Sequence, residues 1–171
     1  VGGTYTGNYT VDDDTDTLGP KKIIGNFTVQ NNGTLTLTGT VWVTGNIIIS
    51  NNAQIKLSSG YGAGSGVLLA DGRVTISNNG TFAGSGTNRS YLMLLTTSDC
   101  PLSASCSGNN AITVSNNAGT VILNAQKGTI SFANNAGTKA ATAYKIVMEN
   151  NAVVTYDSGL ANQNFTSGPS G

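Results

Sequence analysis

The chain contains no histidine, and charge is scarce: eight basic and eight acidic residues among 171, or 9%. Without imidazole, the commonest general acid–base group and the commonest metal ligand at neutral pH are both missing, which removes the usual base of most hydrolytic mechanisms. A formal net charge of zero leaves no long-range field to draw nucleic acid or an anionic membrane surface. No stretch approaches the roughly 20 apolar residues of a membrane span, and the opening VGGTYTGNYT has neither a charged nor an apolar targeting region. The start without methionine and the ending NFTSGPSG read as cuts from a longer polypeptide.

What the chain has instead is 23 glycines, abundant Thr, Ser and Asn, and an apolar content of 38% that suffices for one core. Its two cysteines, Cys100 and Cys106, bracket the short loop CPLSASC. That spacing suits a local disulfide, with a free buried thiol as the alternative; a zinc site lacks the other two ligands. A disulfide implies an oxidising compartment and hence an exported, extracellular or cell-surface protein.

One motif, alternating apolar residues followed by an Asn pair and further alternation, recurs six times. The copies are FTVQNNGTLTL at 27, IIISNNAQIKL at 47, VTISNNGTFAG at 74, ITVSNNAGTVI at 112, ISFANNAGTKA at 130 and IVMENNAVVTY at 146. The corner pairs are Asn31 with Asn32, Asn51 with Asn52, Asn78 with Asn79, Asn116 with Asn117, Asn134 with Asn135, and Asn150 with Asn151. Their starts are separated by 20, 27, 38, 18 and 16 residues. Reading the 38 as two steps gives a period near 20 and a missing copy near Thr97, where the Asn ladder should break and a cysteine-closed loop should project.

A period of this length with short strands and no helical pattern predicts an all-β, single-domain parallel β-helix, a β-solenoid of about eight coils of roughly 20 residues. Asparagine tolerates the left-handed conformation, so one residue of each pair can turn the strand between two faces. Stacked at about 4.8 Å, the side-chain amides would form an asparagine ladder along the axis. The expected organisation is an irregular N-terminal cap over 1–22, the β-helix over 23–160 and a C-terminal tail or linker over 161–171. Open strand edges at the ends need a cover or a partner.

Candidate sites are few. Asp12, Asp14 and Asp16 alternate like the start of a calcium loop, but the twelfth position is Ile23 rather than a bidentate Glu, so an exposed acidic turn is preferred and no metal or cofactor is expected. The remaining acids, Asp71, Asp99, Glu149 and Asp157, read as turn and surface residues rather than a glycosidase pair. The threonines of TLTLTGTVWVT do not recur one period later, so no ice-type array is expected. Tyr5, Tyr9, Trp42, Tyr61, Tyr91, Tyr144 and Tyr156 are candidates for stacking on sugar rings, although packing explains most of them. GYGAGSG and FAGSGTNRS lack the Lys-Ser/Thr of a phosphate loop and read as loops on one flank.

Together, GTVWVTGNIIISNNAQIKL, GSGVLLADGRVTISNNGTFAGSG, ITVSNNAGTVILNAQKGTISFANNAG and the ending VVTYDSGLANQNF resemble the C-terminal β-helical region of PilX-like, type IV pilus-associated surface proteins of uncultured bacterial lineages. The resemblance covers nearly the whole chain, without a pilin-like N-terminal helix. It implies an extracellular right-handed parallel β-helix that is structural or adhesive, a component of a surface or pilus-associated filament, with no catalytic residues. The expected partners are other copies of the chain or other surface and pilus proteins. A polysaccharide-binding or, less favoured, polysaccharide-cleaving β-helix is the alternative.

Overall fold

In a computed structural model, residues 2–101, 106, 107, 109–119, 122–162 and 165 are described. The alternating β-branched sequence forms short strands that pair only with the equivalent strands one coil away, and every pairing is parallel. Coil one comprises β1 (Thr4–Thr6), β2 (Tyr9–Asp12) and β3 (Thr15–Leu18). Coil two holds β4 (Lys21–Ile24), β5 (Phe27–Gln30) and β6 (Thr34–Leu37). Coil three holds β7 (Val41–Val43), β8 (Ile47–Ile49) and β9 (Gln54–Leu57), and coil four β10 (Gly66–Ala70), β11 (Val74–Ile76) and β12 (Thr81–Ala83). Coil five comprises β13 (Leu92–Thr96), β14 (Ile112–Val114) and a bridge at Gly119. In coils six and seven one long strand turns through two faces: β15 (Ile122–Phe132) followed by β16 (Gly137–Thr138), then β17 (Ala140–Met148) followed by β18 (Val153–Val154).

The result is a three-faced parallel β-helix, about 30 Å tall at the spacing of neighbouring strands. Inward residues stack in columns. Phe27, Ile47, Val74, Ile112 and Ile130 are in register on the second face and at most 1% exposed. A side chain of this kind contributes about 1.5–3 kcal/mol when fully buried, so stability accumulates coil by coil rather than at one centre.

Several expectations are corrected. The described residues form seven coils, against the expected eight or so: the 38-residue gap holds one coil with insertions at other corners, because β11 pairs directly with β14. The Asn ladder therefore does not break near Thr97; Asn116 Nδ2 donates to Asn78 Oδ1 at 2.9 Å. Both residues of every pair, not one, adopt positive φ, from 49° to 63°. The last of them, Asn151, is a corner residue, φ 63°, but not a rung: its side chain makes no ladder bond among the described residues. Residues 4–18, expected inside an irregular cap, form a regular first coil whose corner residue is Asp13, φ 50°. Its alternation escapes a hydrophobicity reading because Thr, Asp and Tyr stand where later coils carry aliphatic residues. At the other end, the chain after Asp157 does not run straight on. A 3-10 turn at Ser158–Asn162 and a bridge from Phe165 to Ser65 fold it back along the flank; of 161–171 only residues 161, 162 and 165 are described.

Among the described residues, no helix is long and apolar enough to cross a membrane.

Candidate interaction surface

The corners fix which side chains each face can present. Between second and third faces, the ladder runs with one polarity. Asn51, Asn78, Asn116, Asn134 and Asn150 each donate Nδ2 to the Oδ1 of the preceding coil, at 2.9–3.0 Å. A second column links Asn52 to Asn32, Asn79 to Asn52 and Asn135 to Asn117 at 2.9–3.3 Å. Among the described residues no side-chain bond links Asn117 to Asn79 or Asn151 to Asn135, so this column is discontinuous, whereas Asn150, at the same last corner, keeps its bond in the first column. The donor end of the first column is closed by a carboxylate, since Asn31 Nδ2 donates to Asp12 Oδ1 at 2.7 Å. Gln30 and Asn31 hydrogen bonds hold the Asp12 carboxyl below the usual carboxylate range.

A further ladder, not anticipated from the sequence, lies at the corner between first and second faces. Asn8, Asn26 and Asn46 each accept, at 2.9 Å, the backbone N–H of Asn26, Asn46 and Arg73 in the next coil. The signal is present in the sequence: each follows a glycine, and the dipeptide Gly-Asn begins at 7, 25 and 45. This ladder ends at Arg73, whose side chain offers no acceptor. Above it the corner is rebuilt by the cysteine loop.

Cys100 and Cys106 form the expected disulfide, with Cα atoms 5.4 Å apart. The bridge does not stand clear of the coil: both residues belong to the core, and Thr129 N–H donates to the Cys100 carbonyl at 2.8 Å. With both thiols bonded to each other, the adjacent Asp99 has no thiolate partners for a metal. Among the described residues, the carboxylates of the acidic turn do not converge on one point but are engaged in separate hydrogen bonds. Asp12 accepts from Gln30 and Asn31, Asp14 from the Thr15 N–H, and Asp16 from the Thr17 N–H and the Tyr9 hydroxyl.

The first face differs from the other two on its outside. Outward positions of the second face form a hydroxyl column, Thr10, Thr28, Thr75, Thr113 and Ser131, interrupted by Ile48, so one threonine column does exist where none was expected. Neighbouring outward positions carry Asp12, Gln30 and Glu149, so no paired threonine array forms. On the first face, by contrast, Lys22, Trp42, Leu69 and Leu95 are neighbours in one outward column, and Val67, Met93 and Ile122 in the next. All seven are half-buried. The sequence shows why: VWV, GVLLA and LMLL are apolar at successive positions rather than at alternate ones, the pattern of a strand with two apolar faces.

Trp42 is the fixed point of this stripe. Lys22 Nζ lies 3.9 Å from its ring centroid, and its Nε1 donates to Asp71 Oδ2 at 2.9 Å. Asp71 also accepts from Thr97 Oγ1 at 3.4 Å, so the turn ADGR orients the indole rather than standing free. Beside the stripe, under the cysteine loop, lies a cleft of about 500 Å³ that brings together Asp71, Asp99, Arg73 and Lys127. A smaller depression of about 150 Å³, lined by Leu95, Thr97 and Asn124, connects the two. An open groove of about 850 Å³ runs between the third-face residues Thr36 and Lys56 and the second glycine-rich loop, with Ser58, Ser85 and Asn88 among its polar lining.

The other candidates are dispersed. Glu149 and Asp157 lie away from the cleft, and Asp157 pairs with Lys139 at 2.9 Å. Lys139, the Gly159 N–H and Tyr91 together hold the Asp157 carboxyl below its usual range. Tyr61 and Tyr91 are buried, Tyr5 and Tyr9 stack over the N-terminal end, and Tyr144 and Tyr156 are exposed near the C-terminal end. Compared with family models, curated proteins and solved structures, the chain matches none of them.

Proposed function

We propose that the chain is a non-enzymatic structural or adhesive module, extracellular and cell-surface or pilus-associated, that makes its contacts through the outer first face. The observation that carries this reading is the apolar stripe Trp42, Leu69, Leu95, Val67, Met93 and Ile122 on one face of a rod whose other outer positions are mostly small hydroxyl and amide groups. A disulfide built into the core suits an oxidising compartment, and uncharged corners locked by amide ladders give a rigid spacer whose shape is indifferent to salt. The test is reconstitution on native surface material followed by electron microscopy. Wild-type protein should decorate or enter surface assemblies, whereas L69S/L95S should not, with melting temperature changed by only a few degrees. Equal incorporation of the variant defeats the proposal.

A second reading draws on the cleft. An indole held beside carboxylates, an Arg, a Lys and a threonine hydroxyl is a set that can stack on and hydrogen-bond a saccharide lying across the first face. Glycan-array binding lost on Asp99→Asn or Trp42→Ala, with no new reducing ends released, would favour this reading over the first.

A further inference from the structure

The two ends of the rod are chemically unlike. At the N-terminal end two inward columns finish in the polar-tipped Tyr9 and in Asp16, while Val11 and Leu18 finish two others and are almost fully buried. Tyr9 stacks on Phe27 with ring centroids 5.9 Å apart, and Tyr5 packs edge-on against Tyr9 at 5.5 Å. Asp16 occupies the inward position above Leu35 and accepts the Tyr9 hydroxyl. Any apolar coil laid on this end would bury a carboxylate, at a cost of several kcal/mol.

At the C-terminal end the same columns finish bare. Ile130 and Phe132 are fully buried, but the residues stacked on them, Ile146 and Met148, are 42% and 46% exposed, and Val154 on the third face is 41% exposed. The described tail turns away along the flank toward Ser65 and does not cover them. The edge of β17, nine residues long, is also free of any strand partner beyond β15 among the described residues. This end has relief: on the first face its inward residues are the small Ala141 and Ala143, on the second the long Ile146 and Met148.

We propose that this end is a homodimer interface, joined tail to tail with a second copy about a two-fold axis through the Tyr144–Lys145 corner of β17. That axis exchanges the two halves of the strand. It sets Ala141 opposite Met148 and Ala143 opposite Ile146 of the second copy, so that high side chains fall on low ones. The two β17 edges then pair antiparallel, and Tyr144 meets Lys145 across the corner, ring against ammonium. The same register brings Lys139 opposite Asn150, the acceptor end of the ladder: Asn150 donates to Asn134, and nothing among the described residues donates to its Oδ1. Head-to-tail growth is excluded by Asp16 and by the Asp12 carboxylate at the far end of the ladder, because neither can supply the donor that Asn150 lacks. The assembly therefore stops at two. The inference deepens the structural reading above, since it names the partner at a second contact surface.

Sedimentation velocity of the full chain over micromolar to submillimolar concentrations tests it. A reversible monomer–dimer equilibrium is expected, weakened roughly thirtyfold or more by Ile146→Asp, with far-UV circular dichroism checking that the variant, whose side chain stacks on buried Ile130 and is 42% exposed, keeps the fold. Trp42→Ser, on the first face, should leave the equilibrium unchanged. A141C/M148C should give covalent dimers on a non-reducing gel. Monomer at every concentration, open-ended polymers, or dimers insensitive to Ile146→Asp would each overturn the tail-to-tail interface. Loss of native-surface incorporation by L69S/L95S while the chain stays monomeric would overturn the dimer alone and leave the structural role standing.

Discussion

Asn51 sits in the third coil with φ 56°, donates to Asn31 at 2.9 Å and accepts from Asn78 at 3.0 Å, so a substitution there separates the two jobs of a corner asparagine. Asn51→Ala loses both ladder bonds and places a Cβ residue in the left-handed region. On an exposed corner each bond contributes at the low end of the usual range, about 0.5 kcal/mol. Ala in the left-handed region adds about 1 kcal/mol. The expected loss is about 2 kcal/mol, which for a chain of 171 residues lowers the melting temperature by about 4–8 °C. Asn51→Gly keeps the backbone free and loses only the ladder, about 1 kcal/mol. Asn51→Asp can still accept from Asn78 but faces Asn31 Oδ1 with a second acceptor, so its deficit should shrink below about pH 4, when the carboxyl regains a proton to donate. The assay is thermal and urea unfolding by far-UV circular dichroism at pH 7 and pH 3. If Asn51→Gly is as damaging as Asn51→Ala, the conformational argument fails. If Asn51→Asp equals wild type at pH 7, the one-way polarity of the ladder is wrong.

Two further outcomes follow from the same geometry. A methyl on Gly128 would lie 2.4 Å from Ala111 Cβ and 2.6 Å from the Ser98 carbonyl oxygen, so Gly128→Ala should cost about 1–3 kcal/mol by prying the cysteine loop off coil six, read as a lowered urea midpoint. The pH profile of melting temperature should fall at both extremes. Asp12 and Asp157 have lowered pKa values in the fold, so the unfolded chain takes up protons first; their contribution is full above about pH 4 and lost as pH drops through the folded values, and D12N/D157N should flatten that limb. Burial, with the Asp16 hydrogen bond, raises the Tyr9 pKa, so the unfolded chain ionises first and stability declines above about pH 10, a decline that Tyr9→Phe should reduce.

The repeat, the parallel stacking and the Asn ladder are legible because each obeys a local rule: inward residues alternate, and a left-handed corner takes asparagine. The coil count is not. Spacing of 38 between Asn pairs looks like two periods, but the residues responsible are loops at other corners, 84–91 and 97–111, and sequence distance does not say which corner an insertion occupies. The first coil is hidden for a different reason: Tyr9 and Asp16 hold inward positions there, stacked on Phe27 and Leu35, and erase the hydrophobic pattern. The sequence marks all six pairs alike, yet Asn150 donates to Asn134 while its neighbour Asn151 makes no ladder bond among the described residues, a difference that sequence does not announce. The candidate surface is half legible. Trp42 stands out as an aromatic and Asp71 and Asp99 as acids, but their convergence depends on the parallel register of β7, β10 and β13, which brings together residues 27 to 29 positions apart. The doubly apolar runs GVLLA and LMLL are the signal for the outer stripe, and they are easily absorbed into the general β pattern.

The difference between the two ends bears on where the rod is weakest. In a solenoid each coil draws its stability from its neighbours, so an end coil has one interface where an interior coil has two. Coil one compensates within its own sequence, with the aromatic pair over Phe27, the Tyr9–Asp16 hydrogen bond and the Asp12 closure of the ladder. Coil seven has fewer such devices: its inward side chains are exposed, Asn150 Oδ1 has no donor among the described residues, and the Lys139–Asp157 pair ties down only the strand's flanks. A surface salt bridge of that kind contributes little, about 0–1 kcal/mol. Coil seven is therefore the coil that gains most from being covered, and anything bound there stabilises it by mass action. That asymmetry gives an otherwise repetitive rod a direction: carboxylates and stacked tyrosines mark one end, and exposed apolar side chains mark the other.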